Sequence, residues 1–464
     1  MRTVITYGTY DLFHEGHRRL LARAKELGDK LIVGVTSDAY DRSRGKLNVS
    51  QSLPERIENV VRTGLVDQIV VEEYDGQKIH DIEKWGADVF AIGSDWQGKF
   101  EYLRDYCDVV YLERTRGVSS TELRNNSAGI LKIGLAGAGR NASSLVKEAR
   151  YVSGISVESV WSPRPKKARK AAEKLELDRV AATYEDLLDD VQAVYISSPL
   201  EDRALRIRQA LEAGRHVLAE PPFSLEARET KALLKLAESE SVALVAGIRA
   251  AFSPGFLRMV AYARSGSIGK IRSVQVVSTR LIAQGRPRRA PYGGAITELA
   301  TYPLLAVVKL LGRDYLDVQC RALQPAGEDV DLFSRIDIQY ADALASVSVG
   351  IGVKSEDDLR VSADGGYLYV PSPWWRTDQF ETRFEDEKRN RRFFVPFEGE
   401  GMRYELEELA SRVRGSAKHS YKVRDEDVAT VAEIMDAARR EMKRFGSSPG
   451  SRSLESPLGI DHGL

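Results

Sequence analysis

The sequence predicts an α/β protein in three parts. These are a doubly wound domain over residues 1–127, a Rossmann domain over 128–250, and an α+β domain with a large, mostly antiparallel sheet over 251–445. Three observations carry that expectation. Two short apolar runs, Thr3–Thr6 and Leu131–Leu135, each break into a glycine turn, at Gly8 and at Gly137 and Gly139, and then into a helical pattern; parallel α/β units begin this way. Short apolar strands then alternate with helical stretches, the pattern of a sheet buried on both faces. After about residue 250 apolar and polar residues alternate, as in antiparallel strands with one wet face.

In the first domain a helix is expected over Arg18–Leu27 and strands over Leu31–Val35, Gln68–Val71, Val89–Ile92 and Val109–Leu112. The polar run Asn125-Asn126-Ser127-Ala128-Gly129 is turn-rich and marks the boundary. The second domain repeats the scheme with Val157–Trp161, Ala193–Ile196, His216–Ala219 and Ala243–Ala246. In the third, Ile271–Leu281, Arg335–Tyr340, Ala345–Ile351 and Leu359–Ala363 alternate, and the amphipathic helices Glu405–Val413 and Asp425–Phe445 close it. Residues 446–464 are rich in Ser, Gly and Pro and are expected to form a flexible tail.

Composition excludes several classes. The 464 residues carry 68 Lys+Arg against 68 Asp+Glu, so there is no electrostatic case for nucleic acid or an anionic membrane as partner. Two cysteines, Cys107 and Cys320, rule out a disulfide scaffold or a Cys-rich zinc module. No apolar run reaches the roughly 18 residues of a membrane helix. The start, MRTVITYGTYDLFHEGH, enters a strand and a motif at once and leaves no room for a signal peptide, so a cytoplasmic protein is expected.

The segment from Gly8 through Thr9, Tyr10, Asp11, His14 and Gly16 to His17 lies where the first strand feeds the first helix. Glycine permits close backbone approach to a ligand. A helix start points unpaired N–H groups and a partial positive charge at the carboxyl edge of the sheet, which makes an anion site. His14 and His17, three apart, can face one phosphate and donate to oxygens that gain charge during nucleotidyl transfer. Two ordinary histidines are the bland reading; two of the chain's six within four residues on one glycine turn weigh against it. A two-histidine metal site lacks a third ligand at an evident spacing, and no metal ligand set is expected.

A second cluster runs from Arg114 through Arg116 and Gly117 to Ser119, Ser120, Thr121 and Glu122. By itself it reads as a helix capping box. Beside the histidine turn its hydroxyls, N–H groups and guanidinium ions suit a polyphosphate tail.

GTYDLFHEGH, GSDWQGKF and RTRGVSST together resemble the glycerol-3-phosphate cytidylyltransferases of the HxGH nucleotidyltransferase superfamily, from Met1 to about Arg124. The resemblance implies attack by a polyol phosphate on the α-phosphate of CTP, with release of pyrophosphate. It places His14 and His17 on the α-phosphate, and Gly8, Thr9, Tyr10, Gly16, Ser119, Ser120 and Thr121 with Arg114 around the nucleotide and its phosphates. Lys46 and Arg56 match basic positions for CTP phosphates or the acceptor phosphate, Asp11 orients the turn, and Asp95 with Trp96 lines the nucleotide pocket. Mg²⁺ is expected on the phosphates. Arg116 stands where the family commonly has an acidic residue, which leaves the acceptor open. Adenylylation of a coenzyme precursor, which the HxGH turn alone allows, is disfavoured by RTRGVSST and GSDWQGKF.

Gly137-Ala138-Gly139-Arg140-Asn141-Ala142 reads G-x-G-x-x-A between a strand and a helix, a dinucleotide fingerprint. The usual acidic residue about 20 positions on is replaced by Ser162 and Arg164, which suit a 2′-phosphate and therefore NADP(H); a solvated basic turn is the alternative. From Ile130 to about Phe445 the pieces GLAGAGRNA, AVYISSPLEDR, AGRHVLAEPPFS and YGGAITELATYPLLAVVKLLG resemble the Gfo/Idh/MocA oxidoreductases. The resemblance implies cofactor contacts from Gly137, Gly139, Arg140, Asn141, Ser198, Pro199 and Glu220. Where that family has Glu-Lys-Pro this chain has Glu220-Pro221-Pro222, so the usual catalytic lysine is absent. Leu200 and Arg203 replace the Asn and His after the Ser-Pro turn, and Glu298 and Tyr302 replace the later Asp and His. Tyr302 remains a proton donor for carbonyl reduction.

Two functions follow. In one, the second half reduces a phosphorylated keto or aldehyde precursor with NADPH and the first half activates the polyol phosphate as a CDP-polyol for a cell-surface polymer. In the other, only the first domain is catalytic, and the second half is a binding or oligomerisation module. Both families imply a homo-oligomer.

Overall fold

The computed structural model describes residues 1–43, 49, 51–74, 76–113, 130–281, 289–324, 329–414, 420 and 422–445. The Val/Ile/Leu runs of the first part form β1 (Thr3–Gly8), β2 (Lys30–Thr36), β3 (Gln68–Glu72), β4 (Val89–Gly93) and β5 (Asp108–Leu112). They pair in parallel in the order β3-β2-β1-β4-β5. The chain reverses direction across the sheet between β1 and β4, which opens a crevice at their carboxyl ends.

Helix α1 (Glu15–Lys25) begins earlier than the sequence pattern indicates because His14 caps it. Its acidic Glu15 and basic Arg23 and Lys25 lie at the ends the helix dipole favours. Helices α2 (Asp38–Ser43), α3 (Leu53–Val61) and α4 (Gln77–Trp85) complete the layers. One core joins Leu21, Val33 and Val60; the other, across the sheet, joins Ile5, Ile32, Ile82 and Phe90.

The second sheet contains β6 (Leu131–Ala136), β7 (Ile155–Trp161), β8 (Arg179–Val180), β9 (Ala193–Ile196), β10 (His216–Ala219) and β11 (Leu244–Ala246). Its order is β11-β10-β9-β6-β7-β8, parallel throughout, the doubly wound dinucleotide-binding arrangement.

The third sheet has eight strands: β12 (Ile271–Arg280), β13 (Tyr315–Leu323), β14 (Phe333–Tyr340), β15 (Leu344–Ile351), β16 (Leu359–Ala363), β17 (Tyr367–Val370), β18 (Gln379–Arg383) and β19 (Arg391–Phe394). Their order is β13-β14-β15-β12-β16-β17-β18-β19, antiparallel except for the β12–β15 pair. Strands β13, β17, β18 and β19 are not evident in the sequence: QFETR and RRFF carry charges on an outer part of the sheet and show little apolar alternation.

Helix Met402–Val413 returns to the Rossmann layer. Arg403 makes a buried bidentate pair with Glu148 of helix Arg140–Ala149, at 2.9 and 3.0 Å, and Arg412 donates to the Leu244 carbonyl at 2.9 Å. One apolar core therefore runs from Leu131 through the eight-stranded sheet to Ala438. Among the described residues no helix is long and apolar enough to cross a membrane.

Candidate active sites

The first site is the turn between β1 and α1. Its histidine rings stack, with centroids 3.9 Å apart and planes 20° from parallel. His14 is the N-cap of α1: its Nδ1 accepts from the Gly16 N–H at 3.0 Å. That bond leaves the ring proton on Nε2 in the neutral imidazole, so Nε2 is a donor. His17 is packed by Phe13 and, edge-on, by Tyr10, each with centroids 5.4 Å away.

The turn holds an unfavourable backbone. Tyr10 and Leu12 have φ of 54° and 47°. Such left-handed conformations cost a residue with a side chain about 1–2 kcal/mol each. Partners distant in sequence hold them there. Gln51 accepts from the Leu12 N–H at 2.8 Å, and its own N–H donates to Asp11 at 2.9 Å. Thr9 donates its hydroxyl to Asp41 at 3.1 Å.

Arg56, expected to meet a phosphate, is fully buried beneath this turn. It donates to the carbonyls of Thr9 at 2.6 Å, Thr36 at 2.9 Å and Gln51 at 3.1 Å, and pairs with Asp38. The guanidinium braces the turn, because its donors are already engaged by protein oxygens. No local pattern in the sequence marks Gln51 or Asp41, since they act across 39 to 40 and 32 residues.

Asp95 and Trp96 lie in the short helix Ser94–Trp96 that follows β4, across the crevice from the histidine turn. Both are exposed; Trp96 packs on Phe100 at 5.8 Å, with the Lys99 ammonium 5.1 Å above its ring. Lys46, Arg114, Ser119, Ser120 and Thr121 lie outside the described residues. Beneath the same sheet edge a buried polar group joins Tyr7 to Asp81 at 2.7 Å, Thr36 to Glu72 at 2.8 Å, and Glu72 to Lys78.

The second site lies at the carboxyl edge of the Rossmann sheet. Gly137 has φ of 131°, and a Cβ there would come within 2.5 Å of Ser197 Oγ. Gly139 caps helix Arg140–Ala149, and a Cβ built on it meets nothing within 4 Å. The hydroxyls of Ser197 and Ser198 are buried without a hydrogen-bond partner among the described residues. A glycine cradle, a helix start and orphaned hydroxyls together fit a dinucleotide pyrophosphate. Ser162 and Arg164 follow β7; Ser162 Oγ accepts from the Arg164 N–H at 3.3 Å, and the Arg164 side chain is exposed. Pro199 caps helix Leu200–Glu212, and Arg203 ties the carbonyls of Ser198 and Pro222 at 3.0 and 2.8 Å.

Tyr302 and Glu220 share one cluster with Arg249, and Glu298 has its own partner in Arg280. Tyr302 donates to the Gly247 carbonyl at 3.3 Å, near Glu220 and Arg249. Glu298 pairs with Arg280, with its other oxygen buried and unpartnered among the described residues. Glu220 bonds the Tyr195 hydroxyl and lies 3.9 Å from Arg249 Nη2. Tyr195, Arg249 and Glu405, which complete this cluster, carry no motif and are recognised only once the elements are packed.

Residues 5–126 match the cytidylyltransferase-like family model, and residues 131–248 match that of the oxidoreductase family with an NAD-binding Rossmann fold. A glycerol-3-phosphate cytidylyltransferase of Bacillus spizizenii is 45% identical over 130 residues, 28% of this chain and 100% of that protein. Its counterpart in Staphylococcus aureus is 43% identical over 129 residues, 28% of this chain and 97% of that protein. A 3-ketoreductase of Actinomadura kijaniata, solved with NADP and TDP-benzene, superposes with a TM-score of 0.61 at 23% identity. It covers 68% of this chain and 98% of that one.

Proposed function

The chain belongs to the cytidylyltransferase-like family and is a nucleotidyltransferase joined to an oxidoreductase-family half, and on that premise we propose that it transfers the cytidylyl group of CTP to a polyol phosphate of the glycerol-3-phosphate type. The observation that carries the reading is the stacked histidine pair at the start of α1, on the crevice edge of β1. A phosphate oxygen of the acceptor forms a bond to the α-phosphorus as the bond to the bridging oxygen of pyrophosphate breaks. The negative charge that grows on the α-phosphate oxygens meets His14 Nε2–H, the His17 ring and the N–H groups of the helix start. Asp11, Gln51 and Arg56 hold that turn in its strained conformation, so the donors are in place before CTP arrives. Thr9, Lys46, Arg114, Ser119, Ser120 and Thr121 are assigned to the phosphates, Asp95 and Trp96 to the nucleoside, and Mg²⁺ enters on the triphosphate as part of the substrate.

The second half is read as an NADP(H)-dependent reductase that supplies the polyol phosphate. Gly137, Gly139, Ser197 and Ser198 would hold the pyrophosphate, and Ser162 with Arg164 the 2′-phosphate. Bound NADPH supplies hydride. Tyr302 Oη supplies the proton to the carbonyl oxygen.

Mass spectrometry of products from CTP, Mg²⁺ and a panel of glycerol, erythritol and ribitol phosphates tests the first reading. A CDP-polyol with stoichiometric pyrophosphate supports it; no nucleotide product with any member of the panel refutes it. Repeating the incubation with NADPH and the corresponding keto and aldehyde phosphates tests the second. Tight NADPH binding without oxidation identifies a binding module instead, the reading that the proline at 221 favours.

A further inference from the structure

Five ionisable side chains from five elements meet at the carboxyl edge of the Rossmann sheet. Tyr195 comes from β9, Glu220 follows β10, and Arg249 opens the short helix Arg249–Phe252 after β11. Tyr302 comes from helix Thr301–Leu311, and Glu405 from helix Met402–Val413. Chance does not gather this much charge in a buried place, because each ion removed from water loses several kcal/mol of solvation.

Arg249 is the one cation of the five. Its side chain is 16% exposed, its Nη2 lies 3.9 Å from Glu220, and its Nη1 reaches the Glu400 carbonyl at 3.4 Å. Its Nε is buried with no partner among the described residues. A guanidinium carries five donors in a rigid fork, and here that fork also reaches the Tyr302 hydroxyl.

Tyr302 shares this space. Burial pushes its phenol above the ordinary tyrosine value, while the charge of Arg249 pulls it back down and the carboxylates of Glu405 and Glu220 push it up. Glu405 is fully buried facing the guanidinium and backbone N–H of Arg249, and burial raises its carboxyl to about 8. Near neutral pH Glu405 therefore stays largely uncharged, and Glu220 is left to balance Arg249.

We propose that Arg249 is the fixed cation of the second site and a positioning residue for Tyr302, standing in for the ammonium group that Pro221 does not supply. This rests on the reductase reading given above. When a carbonyl carbon gains hydride from a dihydronicotinamide, its C=O π bond opens onto oxygen, and that oxygen takes the proton from Tyr302 Oη. The negative charge then sits on the phenolate beside Arg249, and solvent returns the proton. A preorganised charge at the place where charge develops is the most effective form of such assistance. Tyr195 and Glu220 hold the guanidinium's side of the pair, and uncharged Glu405 fills the space without competing for it.

The test uses the full chain with a difluorotyrosine in place of Tyr302, whose ionisation is followed by fluorine NMR without cofactor. Arg249→Met should raise that phenol's apparent pKa by about one unit, tenfold in proton affinity, and Arg249→Lys should restore most of it. If Arg249→Met does not fold, Arg249→Gln, which keeps a donor for the Glu400 carbonyl, is read in the same way. A titration unmoved by loss of the charge overturns the proposal. Fluorescence titration with NADPH on the same proteins separates the two levels. Binding that is unchanged across the variants, with the phenol shifted, supports a positioning role. A shifted phenol in a chain that never binds NADPH overturns the reductase reading and with it the role, leaving Arg249 a structural charge.

Discussion

The imidazole rings of His14 and His17 stack with their centroids 3.9 Å apart, and His14 also caps the helix that carries His17. One residue thus holds both the helix start and a donor. His14→Asn keeps a good cap, so it should leave thermal stability nearly unchanged while lowering pyrophosphate release from CTP by about 10²–10³-fold. His17→Ala should have a similar effect on rate. The double variant should fall well short of the product of the two, because both rings serve one phosphate. A coupled pyrophosphate assay with circular dichroism checks this; retention of most activity in either single variant contradicts the assignment.

Arg56 should act through the turn. Removing a fully buried guanidinium that satisfies three carbonyls and Asp38 should destabilise the first domain by about 3–5 kcal/mol in Arg56→Met. The urea midpoint of the first unfolding transition measures it. Arg56→Lys, lacking the fork, should recover only part. If Arg56 met the acceptor phosphate instead, the midpoint would hold and only the KM for the polyol phosphate would rise.

Gly137 has both a positive φ and a hydroxyl where a Cβ would go. Gly137→Ala should therefore weaken NADPH binding by at least about tenfold and lower stability by about 1 kcal/mol or more. CTP turnover, carried by a different sheet, should be untouched. Isothermal titration with NADPH, run beside the pyrophosphate assay, tests both halves of that statement.

Glu405 makes stability depend on pH in an unusual direction. Its carboxyl sits at about 8 in the folded chain against 4.5 when free. As pH rises above the free value the unfolded chain loses this proton while the folded chain keeps it, so this contribution to stability falls steadily until about pH 8 and then levels off. Each unit of separation corresponds to about 1.4 kcal/mol. Glu405→Gln should flatten the melting temperature between these limits and melt higher than the parent at the alkaline end. Calorimetry across that range decides it; parallel curves for the two proteins would show that Glu405 is not the titrating group.

Exchange of Arg164 addresses the cofactor. Its exposed side chain beside Ser162 suits a 2′-phosphate. Arg164→Ala should reduce the preference for NADPH over NADH by about tenfold, roughly the loss of one charge-assisted hydrogen bond. Paired dissociation constants measure the ratio.

The sequence by itself determined the class of both halves, because strand-glycine-helix openings are local patterns. Thr3–Gly8 leading to His14 and His17, and Leu131–Ala136 leading to Gly137 and Gly139, need only neighbouring residues to declare a phosphate turn. The central parallel strands were legible for the same reason: Val89–Gly93 and Ala193–Ile196 are buried and almost wholly apolar, whereas the two-residue edge strand β8, RV, was not. Nor were strands β17 to β19: β17, YLYV, is only four residues long, and QFETR and RRFF of β18 and β19 carry charges and gain their stability from neighbours in the sheet. Only the tertiary structure decided that Arg56 and Gln51 brace the turn, some 40 residues from what they hold. It alone gave Glu298 its partner Arg280 and brought Arg249 and Glu405 to Tyr302. Hydrogen bonds and charges act through space with no periodicity along the chain, so their partners appear only after apolar burial has set the elements in place.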